Sequence, residues 1–94
     1  MRVLCLLFLT ACAASPTPTL MGATRADVTA GGRDYTLWYT EARVEIIRHG
    51  WASSGEHQQI RATMIALIPQ VTGCTLNETT LTGDSGEMRA SIRC

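Results

Sequence analysis

The stretch CTLNETTLTGDSGEMRASIRC (residues 74–94) decides the fold. In its second half Met88, Ala90, Ile92 and Cys94 alternate with Arg89, Ser91 and Arg93. Side chains along a strand point alternately to its two faces, so one face of this segment meets a core and the other meets water. Gly83-Asp84-Ser85-Gly86 has the residues of a turn and folds the segment back onto residues 74–82. Pairing Thr82 with Gly86 across the turn sets the register. Thr80 then faces Met88, Glu78 faces Ala90, Leu76 faces Ile92 and Cys74 faces Cys94. A turn chosen on its own chemistry thus brings two cysteines together on the apolar face, and a Cys74–Cys94 disulfide is expected.

Upstream of this hairpin the period changes from two to 3.6. Ile60, Met64, Leu67 and Val71 fall on one helical face, which Ile65 and Ile68 widen, while His57, Gln58 and Arg61 lie outside it. Ser53 and Glu56 have the spacing of a capping box, with Ser53 as the N-cap. Pro69 is expected to end or kink the helix near Ile68. Before the helix, DYTLWYTEARVEIIRHGW (residues 34–51) is rich in Val, Ile, Tyr, Trp and Thr and reads as one long strand broken at Gly50. Residues 25–29 read as a first strand, joined to it by the turn Ala30-Gly31-Gly32-Arg33. The expected fold class is α+β: a small antiparallel sheet with one helix on one face, in the order β-β-α-β-β. A domain of this size buries a small core, so a disulfide staple is a large part of its stability.

Parity along residues 34–51 leaves a choice. The even positions Trp38, Ala42, Val44 and Ile46 are apolar, while the odd positions Glu41, Arg43 and Glu45 belong in water. In a regular strand Tyr35, Leu37 and Tyr39 then also point outward and form a patch for a partner. A β-bulge near Thr40-Glu41 would instead reverse the parity, bury those three side chains and expose Trp38.

The N-terminal residues carry a different message. Arg2 precedes a short apolar run, residues 3–9, and then Leu9-Thr10-Ala11-Cys12. The run is too short to span a bilayer and has the plan of a secretory signal. Leu9 to Cys12 resembles the lipobox of bacterial lipoproteins. The resemblance implies a diacylglyceryl thioether on Cys12, cleavage between Ala11 and Cys12, and acylation of the new amine. It divides the chain into a signal peptide (1–11), a lipidated N-terminus with a flexible tether (12–24) and the stapled domain (25–94). Cysteine arithmetic agrees with it. Cys5 leaves with the signal and Cys74 pairs with Cys94, so Cys12 is the odd thiol of an oxidising compartment. Two or three acyl chains anchor stably where one is marginal. By resemblance to lipoprotein sorting, Ala13 rather than Asp after the cysteine points to the outer membrane, facing the periplasm. The competing reading is cleavage after Ala13, which yields a soluble secreted protein.

Chemistry is sparse elsewhere. The chain has no lysine; seven arginines after Cys12 are scattered among eight acids, a balance of −1. Nucleic-acid binding needs a concentrated positive field, and none is present. Gly83-Asp84-Ser85-Gly86 resembles part of the nucleophile motif of chymotrypsin-like proteases. Glu87 stands where that family has glycine, and so short a domain cannot supply that family's two-barrel scaffold, so the segment reads as a turn. His49 and His57 read as exposed histidines at element ends, without the converging ligands of a metal site. Asn77-Glu78-Thr79 is a formal glycosylation sequon, expected to be inert in a bacterial lipoprotein. The expectation is a membrane-anchored envelope lipoprotein whose small domain binds an envelope protein or serves a structural role. No catalysis, cofactor or metal is expected. A soluble secreted binding or inhibitor domain is the alternative. A small hydrolase is a distant one, which a pocket joining His49 or His57 to Ser53 or Glu56 would favour.

Overall fold

The computed structural model describes Leu20 and residues 22–94. Five strands and one helix follow in the order β1 (Thr24–Ala30), β2 (Arg33–Tyr39), β3 (Arg43–Arg48), α1 (His57–Thr72), β4 (Thr75–Gly83) and β5 (Glu87–Arg93). The strands form a single antiparallel sheet ordered β1-β2-β3-β5-β4. One face carries the core: Tyr35, Leu37, Val44, Ile46, Met88, Ala90 and Ile92 pack against Ile60, Met64, Leu67 and Ile68 of α1. The fold is α+β with one helix on one face of an antiparallel sheet. It has one strand more than the order read from sequence, because the run of residues 34–51 is two strands.

That run breaks at Thr40. The Thr40 hydroxyl accepts from the backbone N–H groups of Ala42 and Arg43 at 3.2 and 3.1 Å, and Thr40 N–H donates to the Arg43 carbonyl at 2.9 Å. A threonine side chain that satisfies two backbone donors closes a hairpin without glycine or proline. Tyr39 then pairs with Val44, and Leu37 with Ile46, which pairs in turn with Met88 of β5. The hairpin has the consequence expected of a bulge. Tyr35 and Leu37 are 1% and 0% exposed, and Tyr39 packs against the core. These three residues therefore form no outward patch. Trp38 is not left bare either: it is half-buried, with the Arg25 guanidinium 5.4 Å from its ring centroid. Among the described residues the fully exposed large apolar side chain is Trp51, at 83%.

The hairpin of β4 and β5 keeps the expected register at its cysteine end. Thr75, Leu76 and Asn77 face Arg93, Ile92 and Ser91, and Cys74 and Cys94 are disulfide-bonded with their Cα atoms 4.4 Å apart. Near the turn the register shifts, and Thr82 and Gly83 face Arg89 and Met88. The pairs Thr80–Met88 and Glu78–Ala90 do not form. The cause is Asp84. Its carboxylate accepts from Gly86 N–H at 2.8 Å and Glu87 N–H at 3.3 Å, and its own N–H donates to the Glu87 carbonyl at 2.9 Å. This centres the turn on Ser85-Gly86, later in the chain than the one assumed, and Gly83 (φ +104) lies so close to the Glu87 carbonyl that a Cβ would collide with it. The surplus chain bulges between Asn77 and Thr82, where the Thr80 hydroxyl replaces a strand partner by accepting from Ser91 N–H at 2.8 Å.

The helix starts later and ends later than its sequence suggests. Ser53 does not cap it. The Ser53 N–H and hydroxyl donate instead to the Glu56 carboxylate, at 2.9 and 2.5 Å, in a turn that precedes His57. At the other end α1 runs through Pro69 to Thr72 and stops at Gly73 (φ 72), whose N–H donates to the Pro69 carbonyl at 2.9 Å. Proline's fixed φ is helical, so it removes one hydrogen bond; burial of Ile68, 0% exposed, holds the backbone in place. The fold also reaches further toward the N-terminus than residue 25. Leu20 is 2% exposed and its carbonyl accepts from Ala23 N–H at 3.0 Å.

The Glu56 turn makes stability depend on acid. The Ser53 hydroxyl, the Ser53 N–H and the Arg33 guanidinium, 2.9 Å away, hold the Glu56 carboxyl down at about 2 from an ordinary 4.5. A depressed carboxyl contributes stability above its unfolded pKa and loses it as pH falls through the folded one. The melting temperature should therefore fall as pH drops from 4.5 toward 2. Thermal melts of Glu56→Gln across that window should show a shallower fall than wild type.

Candidate functional site

Two polar clusters stand out, and sequence reading joins neither. The first lies where β1, β2 and the end of β3 meet. Asp27 sits opposite Thr36 in the β1–β2 ladder, and His49 follows β3 with its N–H donating to the Asp34 carbonyl at 2.9 Å. The Thr36 hydroxyl donates to Asp27 Oδ1 at 2.7 Å and lies 2.6 Å from His49 Nε2. A hydroxyl has one proton to give, so His49 Nε2 must be the donor on the other side. Thr36 is 1% exposed and is spent on holding these two groups. Its hydrogen bond lowers the Asp27 carboxyl below 3.8, against the desolvation that raises it and with help from the Arg25 charge. Around these residues opens a cavity of about 340 Å³, lined also by Arg25, Thr29 and Asp34. The Thr29 hydroxyl donates to Asp34 at 2.7 Å, so the rim is organised as well. A carboxylate pair, a guanidinium and an imidazole around one hollow suit a small polar group that carries both donors and acceptors.

The second cluster surrounds the β4–β5 turn. Ser85 is 7% exposed, and its hydroxyl lies 2.5 Å from His57 Nδ1 at the start of α1. The Arg48 guanidinium donates to the Ser85 carbonyl at 2.9 Å, and Arg48 N–H donates to the Gly86 carbonyl at 2.9 Å. These contacts clamp the turn to β3 and to the helix. A serine beside a histidine is also the first half of a nucleophilic site. Asp84 Oδ1, however, accepts from the Gly86 and Glu87 N–H groups, and among the described residues no carboxylate hydrogen-bonds His57 to orient it. The same two donors are thereby closed to a substrate oxyanion. The pairing of His57 with Ser53 that would favour a hydrolase does not form: Ser53 bonds to Glu56, and His57 lies beside Ser85. A sequence separation of 28 between His57 and Ser85 carries no local signal, and the pair follows from β5 lying next to β3.

Of the other residues singled out in the sequence, Cys74 and Cys94 are bonded to each other. Tyr35, Leu37 and Tyr39 belong to the core side of the sheet. Ala11 and Cys12 lie outside the described residues. Among the described residues no three His, Cys, Asp or Glu side chains gather closely enough to hold a metal ion, and no helix is long and apolar enough to cross a membrane. No protein-family model, curated protein or solved structure matches the chain.

Proposed function

We propose that this protein is a membrane-anchored bacterial envelope lipoprotein, held by lipid on Cys12, whose small domain acts by binding or as a structural element rather than by catalysis. The observation that carries the reading is Leu9-Thr10-Ala11-Cys12, behind a basic residue and a short apolar run. The Cys74–Cys94 bond supports it, because a disulfide fits an oxidising compartment and leaves Cys12 as the remaining thiol of the mature chain. Ala13 favours the outer membrane, with the domain in the periplasm and an envelope protein as its partner. The cavity beside Asp27 and His49 and the exposed Trp51 support binding, since concave polar sites and accessible tryptophans contribute heavily to recognition.

Wild-type protein from membranes should partition into detergent and carry the mass of a diacylglyceryl group and an added acyl chain. Cys12→Ser should abolish that mass and the cleavage before residue 12. Wild-type protein found in the soluble fraction with its N-terminus at Ala14 would establish the secreted alternative.

A single observation favours hydrolysis, the His57–Ser85 hydrogen bond. A fluorophosphonate probe distinguishes the two readings. Labelling of wild type that disappears in Ser85→Ala supports a nucleophile, and an unlabelled protein supports binding.

A further inference from the structure

The two edges of the sheet are β1 and β4, and they are built differently. Exposed strand edges invite pairing with another chain, and proteins blunt them with bulges, prolines or lysines. β4 is blunted: it bulges between Asn77 and Thr82, and the Thr80 hydroxyl takes a ladder donor. β1 is not. It pairs with β2 over its whole length, from Thr24 opposite Tyr39 to Ala30 opposite Arg33, with no register shift. It contains neither proline nor lysine, and among the described residues no strand lies on its outer side.

The charges of β1 are self-complementary. Arg25 and Asp27 lie two residues apart on the face opposite the helix, beside Trp38 and Thr36, with side chains 32% and 61% exposed. We propose that β1 pairs antiparallel with β1 of a second copy about a twofold axis through Ala26, so that Arg25 meets Asp27 of the partner subunit. An axis normal to the sheet keeps matching faces together, so the register must be centred on a residue. Centring on Arg25 or Asp27 sets that charge against its own copy. Centring on Ala26 satisfies both charges at once. Arg25 already donates to Asp27 of its own chain at 3.3 Å, so the dimer closes a ring of four alternating charges. The small Ala26 side chain meets its own copy on the helix face, and Thr24 meets Val28 of the partner subunit. The sheet continues through the dyad with both helices on the same side. This interface is independent of the anchor, and it shares Arg25 and Asp27 with the cavity beside His49.

Disulfide trapping in the full chain tests the register. The Ala26→Cys variant should form an intermolecular crosslink under mild oxidation, above the background that wild-type thiols give. The Ala30→Cys variant should not, because position 30 lies about 26 Å from its copy in this register. Light scattering tests the charges. Arg25→Glu and Asp27→Arg should each dimerise on the order of tenfold more weakly than wild type, since each sets like charges opposite one another twice. Mixing the two variants should restore dimers, because a heterodimer has opposite charges at both contacts. Wild type that stays monomeric at all concentrations overturns the proposal. So does association that survives both single reversals, or equal crosslinking at positions 26 and 30.

Discussion

Truncating Leu37 to alanine should cost the domain about 3–5 kcal/mol and lower its denaturation midpoint steeply. Leu37 is 0% exposed. Its ladder neighbours are Ala26 on one side and Ile46 on the other, and Ile46 is followed by Met88 of β5. The side chain thus occupies the middle of the central strands, in the cluster that Met64 and Ile68 of α1 cover. Collapse cannot readily fill a cavity there, because β3 on one side is held by its ladder to β5 and α1 covers the cluster. Domains of this size have roughly 5–10 kcal/mol of total stability, so the loss is a large fraction of the whole. The comparison variant is Trp51→Ala. Trp51 is 83% exposed, and its removal should change stability by about 0.5 kcal/mol or less. Denaturation midpoints of the two variants measure the contrast. An unchanged midpoint for Leu37→Ala would mean that the side chain faces solvent, which returns Tyr35, Leu37 and Tyr39 to the role of a partner surface.

Why the parity of this segment could not be decided from sequence is visible at Thr40. The turn at Gly31-Gly32 is legible because both residues take positive φ, 59° and 79°, which glycine adopts without strain. The turn at Thr40 uses Thr, Glu, Ala and Arg, none of which breaks a strand pattern. Its hairpin is closed by one hydroxyl that accepts two backbone donors. The alternation of residues 87–94 was legible for the opposite reason: it runs without interruption from Met88 to Ile92, all of whose apolar members are buried. The bulge in β4 was not legible, since it is the surplus left by the Asp84 turn several residues away. The helix ends are illegible for two reasons: the Ser53–Glu56 spacing that resembles a cap closes a turn ahead of His57, and burial of Ile68 carries the helix through Pro69. The candidate sites lie beyond local reading altogether. Asp27, Thr36 and His49 meet only after two ladders have set their register, and His57 meets Ser85 only after β5 has docked beside β3.

Removing the Cys74–Cys94 staple should lower stability by roughly 3 kcal/mol, the chain-entropy value for a loop of this length. The bond spans a sequence separation of 20 and joins the residue before β4, just past the helix end at Gly73, to the residue after β5. For a domain of this size, that loss corresponds to a melting temperature lower by roughly 10–20 °C. The double variant Cys74→Ala, Cys94→Ala and reduced wild-type protein should show the same shift. Where the loss falls is as informative as its size. Only the pairs Thr75–Arg93, Leu76–Ile92 and Asn77–Ser91 lie between the disulfide and the bulge. So short a ladder, free at one end and interrupted at the other, frays unless it is tied. Without the staple, amide exchange should therefore accelerate first at residues 75–77 and 91–93. Protection at Ile46 and Met88, in the middle of the core, should decline only with global unfolding. If the double variant melts within a few degrees of wild type, the bulged hairpin is held by packing of Leu76 and Ile92 alone. If exchange rises uniformly, the disulfide acts on the unfolded chain rather than on this end of the sheet.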